Sequence, residues 1–123
     1  MTDRLLISIV DDDQSVRESL PDLVSEFGYA VQVFSSAEDF LKSHWRAKTK
    51  CLILDIAMPG MSGPDLQLEL KRRGSSIPII FITAHGDELI RPQVMERGAV
   101  DCLLKPFSDT ALLGAINAAF REG

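Results

Sequence analysis

Leu5-Leu6-Ile7-Ser8-Ile9-Val10-Asp11-Asp12-Asp13 is the stretch that decides how this chain is read. The run from Leu5 to Val10 is short, rich in β-branched residues and ends at a charged cluster, the pattern of a buried strand. Helical periodicity resumes at once with Val16, Leu20, Leu23, Val24 and Phe27. The three aspartates therefore sit at the carboxyl end of a strand, where open α/β sheets place their ligand sites. Adjacent carboxylates repel one another, so gathering them in a loop is unfavourable unless a cation binds there. Hard oxygen donors of this kind suit Mg²⁺. The plainer reading, Asp13 as a helix cap with solvated neighbours, accounts for one aspartate of the three.

A chain of 123 residues is long enough for one core and too short for two. With 46% apolar and 25% charged residues it has the balance of a globular domain. No apolar run approaches the ~20 residues of a membrane helix. The amino terminus lacks the basic and apolar regions of a signal peptide. A net charge of −5 argues against this domain holding nucleic acid by itself. Cys51 and Cys102 stand in or beside apolar runs and read as buried thiols of a reducing compartment, so the expected location is cytoplasmic.

Further along, Gly28 is a helix stop, and Ala30 to Phe34 alternates as a strand. Ser36 offers an N-cap for a short helix through Phe40 and Leu41, with Asp39 in its first turn. Cys51-Leu52-Ile53-Leu54 is a third strand and also ends in an aspartate, Asp55. Met58 to Gly63 is a loop, Pro64 suits the first position of the next helix, and that helix ends in Lys71-Arg72-Arg73-Gly74. The basic run reads as a solvated, dipole-favourable helix end, and His44 and Trp45 as surface or partial packing. Ile77 to Thr83 is a fourth strand, apolar on both faces, and Val100 to Leu104 a fifth. Ser108 caps a last helix striped by Leu112, Leu113, Ile116 and Phe120. This alternation makes the class α/β with a parallel sheet covered on both faces.

Asp11, Asp12 and Asp13 follow the first strand, Asp55 the third, Thr83 the fourth and Lys105 the fifth. In a parallel sheet those ends share one edge, so the residues meet in one crevice. Carboxylates hold a metal, lysine and hydroxyl stabilise an anion beside it, and one carboxylate is left to attack. These are the parts of phosphoryl transfer.

Val10-Asp11-Asp12-Asp13, Leu54-Asp55-Ile56-Ala57-Met58-Pro59-Gly60-Met61-Ser62-Gly63, Ile82-Thr83-Ala84 and Leu104-Lys105-Pro106-Phe107 together resemble the motifs of receiver domains from two-component response regulators. The resemblance covers the whole chain, 1–123, as one receiver domain, with any C-terminal output domain outside it. It implies a flavodoxin-like (CheY-like) three-layer sandwich with strand order 2-1-3-4-5, five helices and a cis bond between Lys105 and Pro106. It implies that Asp55 is the phosphoacceptor, that Asp12, Asp55 and the Ala57 carbonyl bind Mg²⁺, and that Asp11 holds metal-bound water. Lys105 would pair with the phosphoryl group and Thr83 would hydrogen-bond it. The implied partner is a sensor histidine kinase, and the chain would be no enzyme beyond its own aspartyl phosphorylation and dephosphorylation. The resemblance is strongest to receivers of helix-turn-helix transcription regulators, so DNA would be reached only through an output domain. It also implies a homodimer through the fourth helix, fifth strand and fifth helix.

Three departures from the family pattern carry expectations. Cys102 stands where receivers usually carry Tyr or Phe as a rotamer switch, so output is expected to be read mainly from the fourth helix. Pro92 should delay the start of that helix to about Arg91, leaving 86–90 as a mobile loop, and Pro21 should kink the first helix or interrupt its ladder. Ala57 and His85 occupy variable positions that tune phosphoryl lifetime, and His85 is expected to reach the phosphoryl region. Of the competing readings, a dehalogenase-like phosphohydrolase wants a carboxylate where Ala57 stands. A flavin carrier wants a phosphate loop where the three aspartates are. A degenerate receiver, acting as a phosphorylation-independent interaction module, is the remaining alternative.

Overall fold

The computed structural model describes residues 4–84 and 87–122. Strand and helix alternate along it: β1 (Leu6–Val10), α1 (Gln14–Glu26), β2 (Ala30–Phe34), α2 (Ala37–Lys42), β3 (Cys51–Asp55), α3 (Gly63–Arg72), β4 (Ile79–Thr83), α4 (Arg91–Glu96), β5 (Asp101–Leu104) and α5 (Asp109–Glu122). Short 3-10 turns occupy His44–Lys48 and Glu88–Ile90. All five strands are parallel in the order β2-β1-β3-β4-β5. No described helix is long and apolar enough to cross a membrane.

The period-two geometry of the strands divides the core in two. Ile7, Ile9, Cys51, Ile53, Ile80 and Ile82 face α1 and α5, meeting Leu20, Val24, Leu112, Ile116 and Ala119. Val10, Leu52, Leu54, Phe81 and Cys102 face α2, α3 and α4, meeting Phe40, Leu66, Leu70 and Val94. Strands β1, β3 and β4 are therefore buried on both faces, which explains their near-continuous apolar sequences. Ser8 breaks the run in β1. Its hydroxyl lies 2.7 Å from that of Thr49, which donates to the Trp45 carbonyl at 2.8 Å, so Ser8 is the donor and neither of the two buried hydroxyls is left unpaired.

Most local expectations hold. Ser36 caps α2 and Ser108 caps α5, and Gly28 has φ +102° just past α1. Arg72 and Arg73 fold back on Glu69 at 2.5 and 2.6 Å, as suits a solvated helix end. His44 is exposed and Trp45 half-buried, both in the 3-10 turn after α2. Four details differ. Pro64 takes the second helical position, because Ser62 and Asp65 form a reciprocal capping box that starts α3 at Gly63. β4 and β5 begin at Ile79 and Asp101, later than the apolar runs suggest, and Pro78 has no N–H to give a ladder. α1 runs through Pro21 as one helix, so the interruption is the single donor that proline lacks. α4 does begin at Arg91, but residues 88–90, expected as loop, form a 3-10 turn. His85 and Gly86 lie outside the described residues, and with them the expectation for His85.

Candidate functional site

The chain goes from β1 outward to β2, then returns to β3 on the other side, so the sheet's switch point lies between β1 and β3. Val10 pairs with Leu54 across that boundary, which sets Asp11 and Asp55 side by side just beyond it. Asp11 is fully buried. One of its oxygens accepts the Asp13 amide at 2.9 Å and the other accepts Lys105 Nζ at 3.0 Å. The same ammonium lies 3.6 Å from Asp55. Asp12 is exposed, and carboxylate oxygens of Asp11, Asp12 and Asp55 come within 4.8 Å of one another.

Three anions so close repel by about 3 kcal/mol per pair at an effective dielectric of ~20, and one ammonium offsets only part of that. The strain is recorded on Asp55. Burial, then the charge of Asp11, pushes its carboxyl up to about 7, with Lys105 pulling the other way. Burial by itself disfavours the Lys105 ammonium, but the hydrogen bond to Asp11 and the charge of Asp55 outweigh it and hold its pKa above the ordinary value. A divalent cation among the three carboxylates would relieve the repulsion, and an all-oxygen donor set suits Mg²⁺.

Asp13 belongs to the helix. It accepts the Ser15 hydroxyl and amide at 2.8 and 2.9 Å, bonds that hold its carboxyl below the usual range. Thr83 is buried at the end of β4, its carbonyl accepting the Lys105 amide at 2.8 Å and its hydroxyl donating to the Ala84 carbonyl at 3.2 Å. Ala57 is exposed two residues beyond Asp55, and the Lys105–Pro106 bond is cis.

Residues 7–117 match the response regulator receiver domain family. This chain belongs to that family. The receiver is 49% identical over 98% of its length to the response regulator protein TodT of Pseudomonas putida, covering 54% of that protein. It is 40% identical over 97% of its length to the transcriptional regulatory protein FixJ of Azorhizobium caulinodans, covering 56%. It thus spans about half the length of the curated relatives it matches. Among solved structures, the FixJ N-terminal domain superposes with a TM-score of 0.87 at 38% identity, covering all of this chain and 98% of that one. The response regulator StyR gives 0.88 at 44% identity, covering 97% of this chain and 60% of that one.

Several further residues support this receiver's site, and of them the sequence pattern marked Gly63, inside the 54–63 motif, but not Arg17 or Glu38. Arg17 donates to the Asp11 carbonyl at 2.9 Å. Gly63 stands so close to β3 that a Cβ there would come 2.2 Å from the Asp55 carbonyl oxygen. Glu38, in α2, accepts the Met61 amide at 3.0 Å. Arg91 donates to the Cys102 carbonyl and lies 3.3 Å from Asp101, tying the start of α4 to β5. Cys102 itself is buried and unpaired with Cys51, and burial raises both thiols, Cys51 to about 12. Neither is a thiolate at neutral pH, which suits a packing role better than a redox one.

Proposed function

We propose that this receiver accepts a phosphoryl group on Asp55 from the phosphohistidine of a sensor kinase and, so modified, controls an output. The observation that carries the reading is the convergence of Asp11, Asp12 and Asp55 around Lys105. An Asp55 oxygen attacks phosphorus, the N–P bond breaks, and the imidazole leaves with its electron pair and gains a proton. The product is an acyl phosphate. Asp12, Asp55 and the Ala57 carbonyl would hold Mg²⁺ directly and Asp11 its water; the ion supplies charge neutralisation for the phosphoryl oxygens. Lys105 pairs with the transferred group, and Thr83 exchanges its long bond to Ala84 for one to a phosphoryl oxygen. Later hydrolysis returns the carboxylate, and these two reactions are the extent of the catalysis.

Phosphorylation adds about −1.5 to −2 charge. It draws Thr83 and Lys105 inward and biases β4, α4 and β5 to a second arrangement. By likeness to TodT and FixJ, the output is transcription through a DNA-binding domain that these longer proteins leave room for. Leu89 and Leu104 are exposed large apolar residues beside α4 and on the edge strand β5, which supports a second copy docking on the α4–β5–α5 face. Two free buried cysteines support a cytoplasmic setting. Nothing in the site favours a phosphorylation-independent module.

Intact mass after incubation with Mg²⁺ and acetyl phosphate tests the reading. We expect one phosphoryl adduct on the wild type and none on Asp55→Asn. No adduct on either would overturn the phosphoacceptor, and an adduct on both would mean that another residue is the acceptor.

A further inference from the structure

The loop between Asp55 and α3 begins with Ile56 and Ala57, turns at Pro59-Gly60 and ends at the Ser62 cap. The Ile56 amide ties its start to the Ile82 carbonyl at 3.1 Å, Met61 packs partly against the core, and three further contacts bear on its shape. The Gly63 amide donates to the Ile56 carbonyl at 2.9 Å and closes its base. Met58 is buried in the cluster that contains Ala37 and Phe40 of α2. The third contact is polar and comes from another element: Glu38 Oε2 accepts the Met61 amide at 3.0 Å, across 23 residues of sequence. Gly60 is shaped around the same oxygen. Its φ is +74°, which favours glycine, and a Cβ there would come 2.7 Å from Glu38 Oε2, so a larger residue would push the carboxylate from its present place.

We infer that Glu38 is a positioning residue for the phosphoacceptor site, fixing the far end of this loop so that the Ala57 carbonyl at its near end is held where Mg²⁺ is to be bound. The inference rests on the proposed phosphoacceptor reading. The loop is short, and Pro59 fixes its own φ, so displacement at Met61 is passed back to Ala57. Mg²⁺ demands near-ideal octahedral geometry, which makes its affinity sensitive to a carbonyl that wanders. A charged acceptor on an amide is among the stronger hydrogen bonds, so one carboxylate suffices to hold the turn. Gln at position 38 keeps an oxygen acceptor, whereas Ala removes it.

Mg²⁺ titration by calorimetry, hydrogen exchange at the Met61 amide, and phosphorylation by acetyl phosphate at varied Mg²⁺ make the test on wild type, Glu38→Ala and Glu38→Gln. Glu38→Ala is expected to weaken Mg²⁺ binding about tenfold and to speed Met61 exchange. Its phosphorylation rate at saturating Mg²⁺ should stay within about twofold of wild type, and Glu38→Gln should recover most of the affinity. Wild-type Mg²⁺ affinity in Glu38→Ala, or unchanged Met61 exchange, would overturn the inference. So would Glu38→Gln as weak as Glu38→Ala, because charge rather than the hydrogen bond would then be responsible. If Glu38→Ala does not fold, Glu38→Asp, one methylene short of Met61, serves in its place. A wild type that binds Mg²⁺ but takes no phosphoryl group would sink the phosphoacceptor reading, while the titration and exchange still judge Glu38.

Discussion

On the β1–β3 side of the strand ends, Asp11 is fully buried, both its oxygens are engaged, and Gly63, Glu38 and Arg17 brace the backbone around it. On the β4–β5 side, α4 has six residues and no capping side chain, Leu89 and Leu104 face outward, and one arginine ties helix to edge strand. The first region has its geometry determined several times over, as a site that must present oxygens to a cation requires. Among the described residues α4 buries Val94 alone, whose carbonyl accepts the Gln67 side-chain amide at 3.1 Å. A short helix anchored at so few points shifts at low free-energy cost. On the proposed function, chemistry would sit on the braced side and response on the looser one.

The hardest blow to the stiff side is Gly63→Ala. The added methyl meets the Asp55 backbone rather than a movable side chain, so we expect a loss of at least about 3 kcal/mol in urea unfolding. Next comes Asp55→Asn in metal-free buffer. A carboxyl with pKa about 7 when folded and ~3.9 when unfolded keeps in the fold a proton that the free chain has lost. Stability therefore falls as pH rises from about 4 to 7, and the full cost persists above that. Asparagine removes the cost, so Asp55→Asn should be more stable than wild type by at most about 4 kcal/mol at pH 8 and no more stable at pH 4. A gain that does not depend on pH would mean that repulsion at Asp55 is not its origin.

Asp13→Ala removes a cap without touching the cluster, and about 1 kcal/mol should go from global stability. On the loose side, Arg91→Ala should change global stability by no more than about 0.5 kcal/mol while speeding amide exchange in α4. Equal losses of protection in α1 would break the comparison. Phosphorylation should move the amide resonances of residues 87–98 more than those of 14–26. If the α4 amides stay still, output is not read from that helix.

The α/β alternation was legible because buried parallel strands are apolar on both faces and helices carry a single stripe. β1 and α5 are the clearest cases, and capping serines marked α2 and α5. The 3-10 turn at 88–90 was not legible, since a turn of that length has no periodicity to read. Nor was the start of α3 at Gly63, where a capping box of Ser62 with Asp65 outweighed the preference of proline for the first position. In the site, Asp11, Asp12, Asp55, Thr83 and Lys105 announced themselves as polar residues ending apolar strands. Glu38 and Arg17 did not, because a charged residue on a helix looks the same whether it meets solvent or a distant amide.

By itself the sequence determined the class of fold, the strand ends and the acid–hydroxyl–lysine inventory, because these follow from local pattern and strand periodicity. Only the tertiary structure decided that Asp11 and Asp55 lie across one switch point, that Lys105 bonds the first at 3.0 Å and sits 3.6 Å from the second, and that burial, then the charge of Asp11, raises the Asp55 carboxyl to about 7 against the pull of Lys105. Distances between residues far apart in the chain depend on strand order and packing, which no local pattern encodes, and electrostatics depends on those distances.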